Sequence, residues 1–162
     1  MNEPTTRGRA LVTGASGYIG GRLVPELLAA GWTVRALART PSRLRDAPWA
    51  GDVEVAVADV TDADGLRAAL QDVDVAYYLV HSIGGKPEFE AQDRLAATTF
   101  ASAAEDAGVG RIVYLGGLTP EGEELSPHLR SREEVGRILL DSVGDSTGTL
   151  SMRRRGSPAA FA

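Results

Sequence analysis

The sequence predicts an α/β domain: a doubly wound parallel sheet of five strands in the order 3-2-1-4-5, with helices on both faces. Short apolar runs alternate with amphipathic stretches of helical period, the pattern of successive strand–helix–strand units. The first run, Ala10 to Thr13, leads directly into Gly14-Ala15-Ser16-Gly17-Tyr18-Ile19-Gly20, a glycine turn that opens a helical pattern. With 162 residues, 43% of them apolar, the chain has enough material for one core and one domain.

Ala10 to Thr13 reads as a strand buried on both faces. The helix after the turn runs from Tyr18 to Ala30, with Ile19, Leu23 and Leu27 on its apolar face and Val24 and Leu28 beside them. Pro25 removes one backbone donor inside it and is expected to bend it, and Gly31 ends it. Trp32 to Ala38 is the second strand and Val53 to Ala58 the third, closed by Asp59-Val60. Thr61-x-x-Asp64 reads as a capping box opening a helix with Leu66 and Leu70 inside. Val73 to Val80 is the fourth strand. Glu88 to Ala107 is a long helix stopped by Gly108, and its apolar stripe reads as core packing. Arg111 to Leu115 is the fifth strand, and a last helix starting near Pro127 carries Val135, Ile138 and Leu139.

The glycine turn carries the chemistry. Gly14 permits a tight exit from the strand, where φ is positive. Gly17 leaves main-chain N–H groups bare at a helix N-terminus, where the dipole favours a pyrophosphate. Gly20 lets the helix lie close on its strand, and the Ser16 hydroxyl adds a phosphate donor. The spacing is GxxGxxG rather than GxGxxG, so the strand before and the helix after are what give the motif weight.

Composition narrows the function classes. Charged residues make up 24% and the net charge is −5, which argues against nucleic acid as the main partner. There is no cysteine, hence no disulfide framework and no thiolate chemistry. Met1 to Arg9 is polar without an apolar signal core, and no run is long enough to span a bilayer; the expected location is the cytoplasm. Glu121, Glu123 and Glu124 read as solvated loop charges, and no metal is expected.

Thr13-Gly14-Ala15-Ser16-Gly17-Tyr18-Ile19-Gly20 resembles the TGxxGxxG cofactor turn of extended and atypical short-chain dehydrogenase/reductases. The resemblance continues through Arg39, Asp59, the Tyr77-to-Ser82 segment and Tyr114-Leu115-Gly116-Gly117. It covers roughly residues 8 to 141 and is nearest the NmrA-like/YbjT-like NAD(P)H-binding branch. It implies a Rossmann-type fold and a nicotinamide dinucleotide as ligand. Gly14, Ser16, Gly17, Tyr18, Ile19 and Gly20 would then hold the pyrophosphate. Asp59 and the Val60 backbone would lie at the adenine, although on its own Asp59 reads equally as a turn carboxylate. The Leu79-Val80-His81 backbone, running on to Ser82-Ile83-Gly84-Gly85, would line the nicotinamide ribose. An NAD-selective fold places an acid after the second strand to bond the ribose 2′-OH. This chain has Ala38-Arg39 there, and a guanidinium suits a 2′-phosphate, so the expected cofactor is NADP(H) in preference to NAD(H). Arg43 and Arg45 read as solvated loop charges.

The family's catalytic set is a tyrosine, a lysine four residues on, and a serine after the fifth strand. The corresponding positions hold His128, Arg132 and Gly116 or Gly117. Arg132 cannot relay a proton. His128 reads as a surface histidine at a helix start, and His81 as a neutral loop histidine bonded to backbone rather than a general acid. No catalytic residue is therefore assigned. Residues 1–141 form the expected cofactor domain, and residues 142–162 are polar, basic and Gly/Ser-rich, expected to be a flexible tail in place of the family's substrate lobe. Three functions follow: an NADPH-dependent oxidoreductase of unknown small-molecule substrate, a non-catalytic NADP(H) sensor with a protein partner, or a truncated fragment without activity.

Overall fold

The structure is a computed structural model that describes residues 7–81, 87–116 and 126–142. The tail from 143 onward, the loop acids Glu121, Glu123 and Glu124, Ser82 to Gly85 and Gly117 lie outside the described residues. The elements in chain order are β1 (Arg9–Thr13), α1 (Tyr18–Ala29), β2 (Thr33–Ala38), β3 (Glu54–Val57), α2 (Ala63–Ala69), β4 (Val75–Tyr78), α3 (Pro87–Asp106), β5 (Arg111–Tyr114) and α4 (Pro127–Asp141). Two short 3-10 turns, Pro41–Leu44 and Ala50–Asp52, fill the β2–β3 connection.

All five strands pair in parallel in the order β3-β2-β1-β4-β5. Thr13 stands opposite Leu37, and Val12 opposite Tyr77, so the carboxyl ends of β1, β2 and β4 lie side by side. Alternate side chains go to opposite faces of the sheet. On one face Ala10, Val12, Val34 and Ala36 pack under Val24 and Leu27 of α1 and under Leu44 and Trp49 of the β2–β3 connection. The other face carries Leu11, Ala76, Tyr78, Ile112 and Tyr114 beneath α2, α3 and α4, which contribute Leu66, Phe100 and Leu139 among others. Tyr78 meets Phe100 edge-on at 5.0 Å between centroids. The Rossmann-type architecture is that expected from the sequence.

Local differences have local causes. The predicted third and fourth strands are longer than the observed ones. Leu79 and Val80 continue the apolar pattern because they still pack on the two core clusters, but they have left the sheet ladder. Pro25 sits inside α1 without ending it, and Gly31 follows the helix with φ +85°. The capping box is not formed. Asp62, not Thr61, caps α2, its carboxylate accepting the Gly65 N–H at 3.2 Å, while Thr61 donates from both its N–H and its hydroxyl to Asp59. A carboxylate two residues upstream competes for the threonine, and the cap moves one residue on.

Candidate functional site

Three features shape the turn after β1. Gly14 adopts φ +66°, and its bare Cα lies against the Leu79 carbonyl, which an added Cβ would approach to 3.3 Å. A Cβ on Gly20 would collide with the Gly14 carbonyl oxygen and fall 2.7 Å from Ala15 Cα, so α1 rests directly on the turn backbone. Gly17 is the N-cap of α1 in an extended conformation and offers no side-chain oxygen to the first-turn amides. Those amides have no acceptor within the helix either, which leaves them to an anionic ligand.

Thr13 ties this turn to the neighbouring strand end. Its buried hydroxyl donates to the Tyr77 carbonyl at 3.0 Å and accepts the Leu79 N–H at 2.9 Å. That single side chain replaces ladder bonds where β4 ends, and it fixes the Leu79-Val80-His81 segment beside the glycines.

A cavity of about 750 Å³ opens at these strand ends. Of the residues singled out from the sequence, Gly14, Ser16, Gly17, Arg39, Asp59, Val60, Leu79, Val80 and His81 line it together. Tyr18, Ile19 and Gly20 do not line it. The Tyr18 side chain is 72% exposed with the Arg22 guanidinium 3.9 Å above its ring, Ile19 is exposed, and Gly20 packs on Gly14. Sequence reasoning missed Thr40, Thr61 and Tyr78 on the wall, as well as Gln92 and Asp93 from α3. Arg43, read as a solvated loop charge, joins Arg39 on the cavity wall, whereas Arg45 borders a shallower hollow with Pro41 and Leu44. The signal for Arg43 was its position four residues beyond Arg39 in a turn that folds back.

Electrostatics divide the cavity. At the β2 side, Arg39 is 73% exposed, and its Nη1 stands 3.6 Å from an Asp59 carboxylate oxygen. The Thr61 hydroxyl bond, aided by the Thr61 amide and Arg39, holds the Asp59 carboxyl below the usual aspartate value. At the β4 side, burial raises the Tyr78 and Tyr114 phenols, so neither is an available acid. Burial and the nearby Arg132 and His128 hold the His81 imidazole below its usual value, and the ring bonds the Leu79 carbonyl as the sequence reading expected. Arg132, at the family's lysine position, is engaged structurally: Nη2 donates to the Leu115 carbonyl at 2.6 Å, and the Arg132 carbonyl accepts the Tyr114 hydroxyl at 3.1 Å. Among the described residues no helix is long and apolar enough to cross a membrane, and no three His, Asp or Glu side chains converge on a metal position.

Residues 14–145 match the NAD(P)H-binding family. The chain belongs to that family. Its fit is visible in the cradle: a bare turn, uncapped helix amides and a long cavity across the strand ends suit a dinucleotide. This NAD(P)H-binding domain is 35% identical over 123 residues to a 3 beta-hydroxysteroid dehydrogenase/Delta 5-->4-isomerase of Mycobacterium tuberculosis, covering 68% of the chain and 32% of that protein. Among solved structures it resembles MoeE5 in complex with UDP-glucose and NAD (26% identity, TM-score 0.72, 90% of this chain and 54% of that one). It also resembles an NADPH-dependent quinone oxidoreductase of Escherichia coli complexed with NADPH (25% identity, TM-score 0.69, 89% of this chain and 47% of that one). The chain thus spans about a third of that dehydrogenase and about half of each solved chain. Its relatives include dehydrogenases, reductases and a UDP-glucose 4-epimerase, and the chain is an NAD(P)H-binding domain.

Proposed function

We propose that the domain binds NADP(H) in preference to NAD(H) and serves an NADPH-dependent oxidoreductase acting on a small molecule. The observation that carries the cofactor preference is the β2 end of the cavity, where Arg39, Thr40 and Arg43 stand and no acid follows Ala38. Guanidinium groups there neutralise and bond a 2′-phosphate, and the ribose 2′-OH of NAD(H) finds no carboxylate directly after the strand. The pyrophosphate lies on the first-turn amides of α1 with the Ser16 hydroxyl beside it. Asp59 and Val60 flank the adenine, and the Leu79-Val80-His81 backbone runs along the nicotinamide ribose. When bound, a nicotinamide dinucleotide supplies or accepts a hydride at that end. Residues 1–141 form the cofactor domain and residues 142–162 a tail attached to it.

Fluorescence titration of the purified chain with NADPH and with NADH tests the preference. Arg39→Ala weakens NADPH about tenfold, the size of one lost charge-assisted bond, and leaves NADH nearly unchanged. Equal loss for both coenzymes removes the argument for the phosphate.

A second reading is a non-catalytic NADP(H) sensor that signals to a protein partner. It is favoured by Arg132, whose guanidinium is bonded to the Leu115 carbonyl at the place where a proton-relaying lysine would stand. Binding without turnover across a panel of carbonyl substrates selects it.

A further inference from the structure

The ends of β2 and β3 bring opposite charges together on the cavity wall. Ala38 pairs with Val57 in the parallel register, so Arg39, one residue past β2, and Asp59, two residues past β3, leave the sheet side by side. Both line the cavity. The two oxygens of the Asp59 carboxylate have separate tasks. Oδ1 accepts the Thr61 N–H at 2.9 Å and the Thr61 hydroxyl at 2.7 Å, while Oδ2 stands 3.6 Å from Arg39 Nη1. The Thr61 bonds fix the carboxylate and hold its carboxyl below the usual aspartate value, so it stays charged throughout the neutral range. Arg39 is held far more loosely. Its side chain is 73% exposed, and 3.6 Å is too long for a charge-assisted hydrogen bond, so the pair does little to order the guanidinium.

Building on the NADP(H) reading, we propose that Asp59 is a second determinant of coenzyme choice: a fixed negative charge that competes with the 2′-phosphate for Arg39 and thereby limits the preference for NADP(H). An acid directly after β2 discriminates between the coenzymes in two ways, by bonding the ribose 2′-OH and by repelling a phosphate. No acid stands there in this chain, but the fold delivers one from the end of β3 to within reach of the same guanidinium. A phosphate that bonds Arg39 enters the field of the Asp59 carboxylate and has to share or displace its counterion. The uncharged 2′-OH of NAD(H) meets neither cost. The opposite role, in which Asp59 aims Arg39 at the phosphate, needs a short and ordered pair, and this one is long and exposed. Solvent and salt screen charges this exposed, so the penalty on the phosphate is about fivefold in affinity rather than orders of magnitude.

The test uses the full 162-residue chain as wild type, Asp59→Asn, Asp59→Ser, Arg39→Ala and the double variant Asp59→Asn with Arg39→Ala. Fluorescence titration gives the dissociation constants of NADH and NADPH, and their ratio is the readout, because an adenine contact common to both coenzymes cancels in it. Asp59→Asn keeps an oxygen for Thr61 and removes only the charge; it raises the ratio in favour of NADPH about fivefold. Asp59→Ser, which removes the charge with a different shape, moves the ratio the same way. In the Arg39→Ala background the gain from Asp59→Asn shrinks to about twofold or less, since the cation competed for is gone. Calorimetry with 2′,5′-ADP, which lacks the nicotinamide half, shows the same tightening in Asp59→Asn. A ratio that stays put or falls in Asp59→Asn overturns the proposal, as does an equal gain with and without Arg39. A wild type that binds both coenzymes equally, with Asp59→Asn preferring NADPH, removes the wild-type preference and supports the role of Asp59. A wild type that binds neither coenzyme overturns the cofactor reading itself, and this proposal with it.

Discussion

A methyl group at position 20 has nowhere to go: it would strike the Gly14 carbonyl oxygen and lie 2.7 Å from Ala15 Cα, both backbone atoms that cannot rotate aside. Gly20→Ala should therefore cost about 1–3 kcal/mol, the usual range for overpacking, and lift α1 off the turn. A thermal melt showing the loss, together with weakened NADPH binding, checks it. The same residue measures how much was legible in the sequence. Three glycines between a strand and a helix gave both the turn and the reason for each glycine. Tyr18 and Ile19 were grouped with them by motif; their side chains are exposed and absent from the cavity wall, and what they offer at the turn is the first main-chain N–H groups of α1. Arg43 is exposed, as read, but its place on the cavity wall was not legible, because a charge in a polar loop carries no mark of which way the loop folds. Thr13, read as a strand end and as the first residue of the glycine motif, proves to be the clamp between β1 and the end of β4.

Helices and strands were legible wherever one face is apolar, and their ends were less so. The fourth apolar run continues through Val80 because burial outlasts strand pairing by two residues. At α2 two side chains contend for one cap, and pattern alone does not rank them; the structure gives the role to Asp62. Asp62→Ala should cost about 1 kcal/mol, as the loss of a helix N-cap does, whereas replacing Thr61 with valine leaves that cap in place. Urea denaturation of the two variants, with unchanged m-values, separates the assignments. β3 is the most exposed strand of the sheet. It is an edge strand with Val57 62% exposed, and the paired Arg35 and Glu54 side chains, 2.9 Å apart, help hold it to β2. The two charges are partly exposed, so their contribution is small.

The alternation of strands and helices pointed to a parallel sheet, and the family resemblance to its strand order and the place where ligands collect. A parallel sheet gathers every strand's carboxyl end on one rim, so residues as distant as Thr13, Ala38, Asp59 and Val80 share one cavity. Gln92 and Asp93 were not legible there. They enter from α3, whose approach to the rim depends on how that helix packs against α2 and α4 and not on any local motif. Because those walls come together only in the native fold, the coenzyme binds the folded state and not the unfolded chain. NADPH at a hundred times its dissociation constant should add about 2.7 kcal/mol of stability and raise the melting temperature by several degrees, measurable by differential scanning fluorimetry. An inert additive at the same concentration should leave the melt where it was. Survival of the chain in a cell then tracks the supply of its small molecule. If the coenzyme binds as proposed, scarcity should open the rim more often and expose the backbone to proteases, and plenty should let the same polypeptide persist.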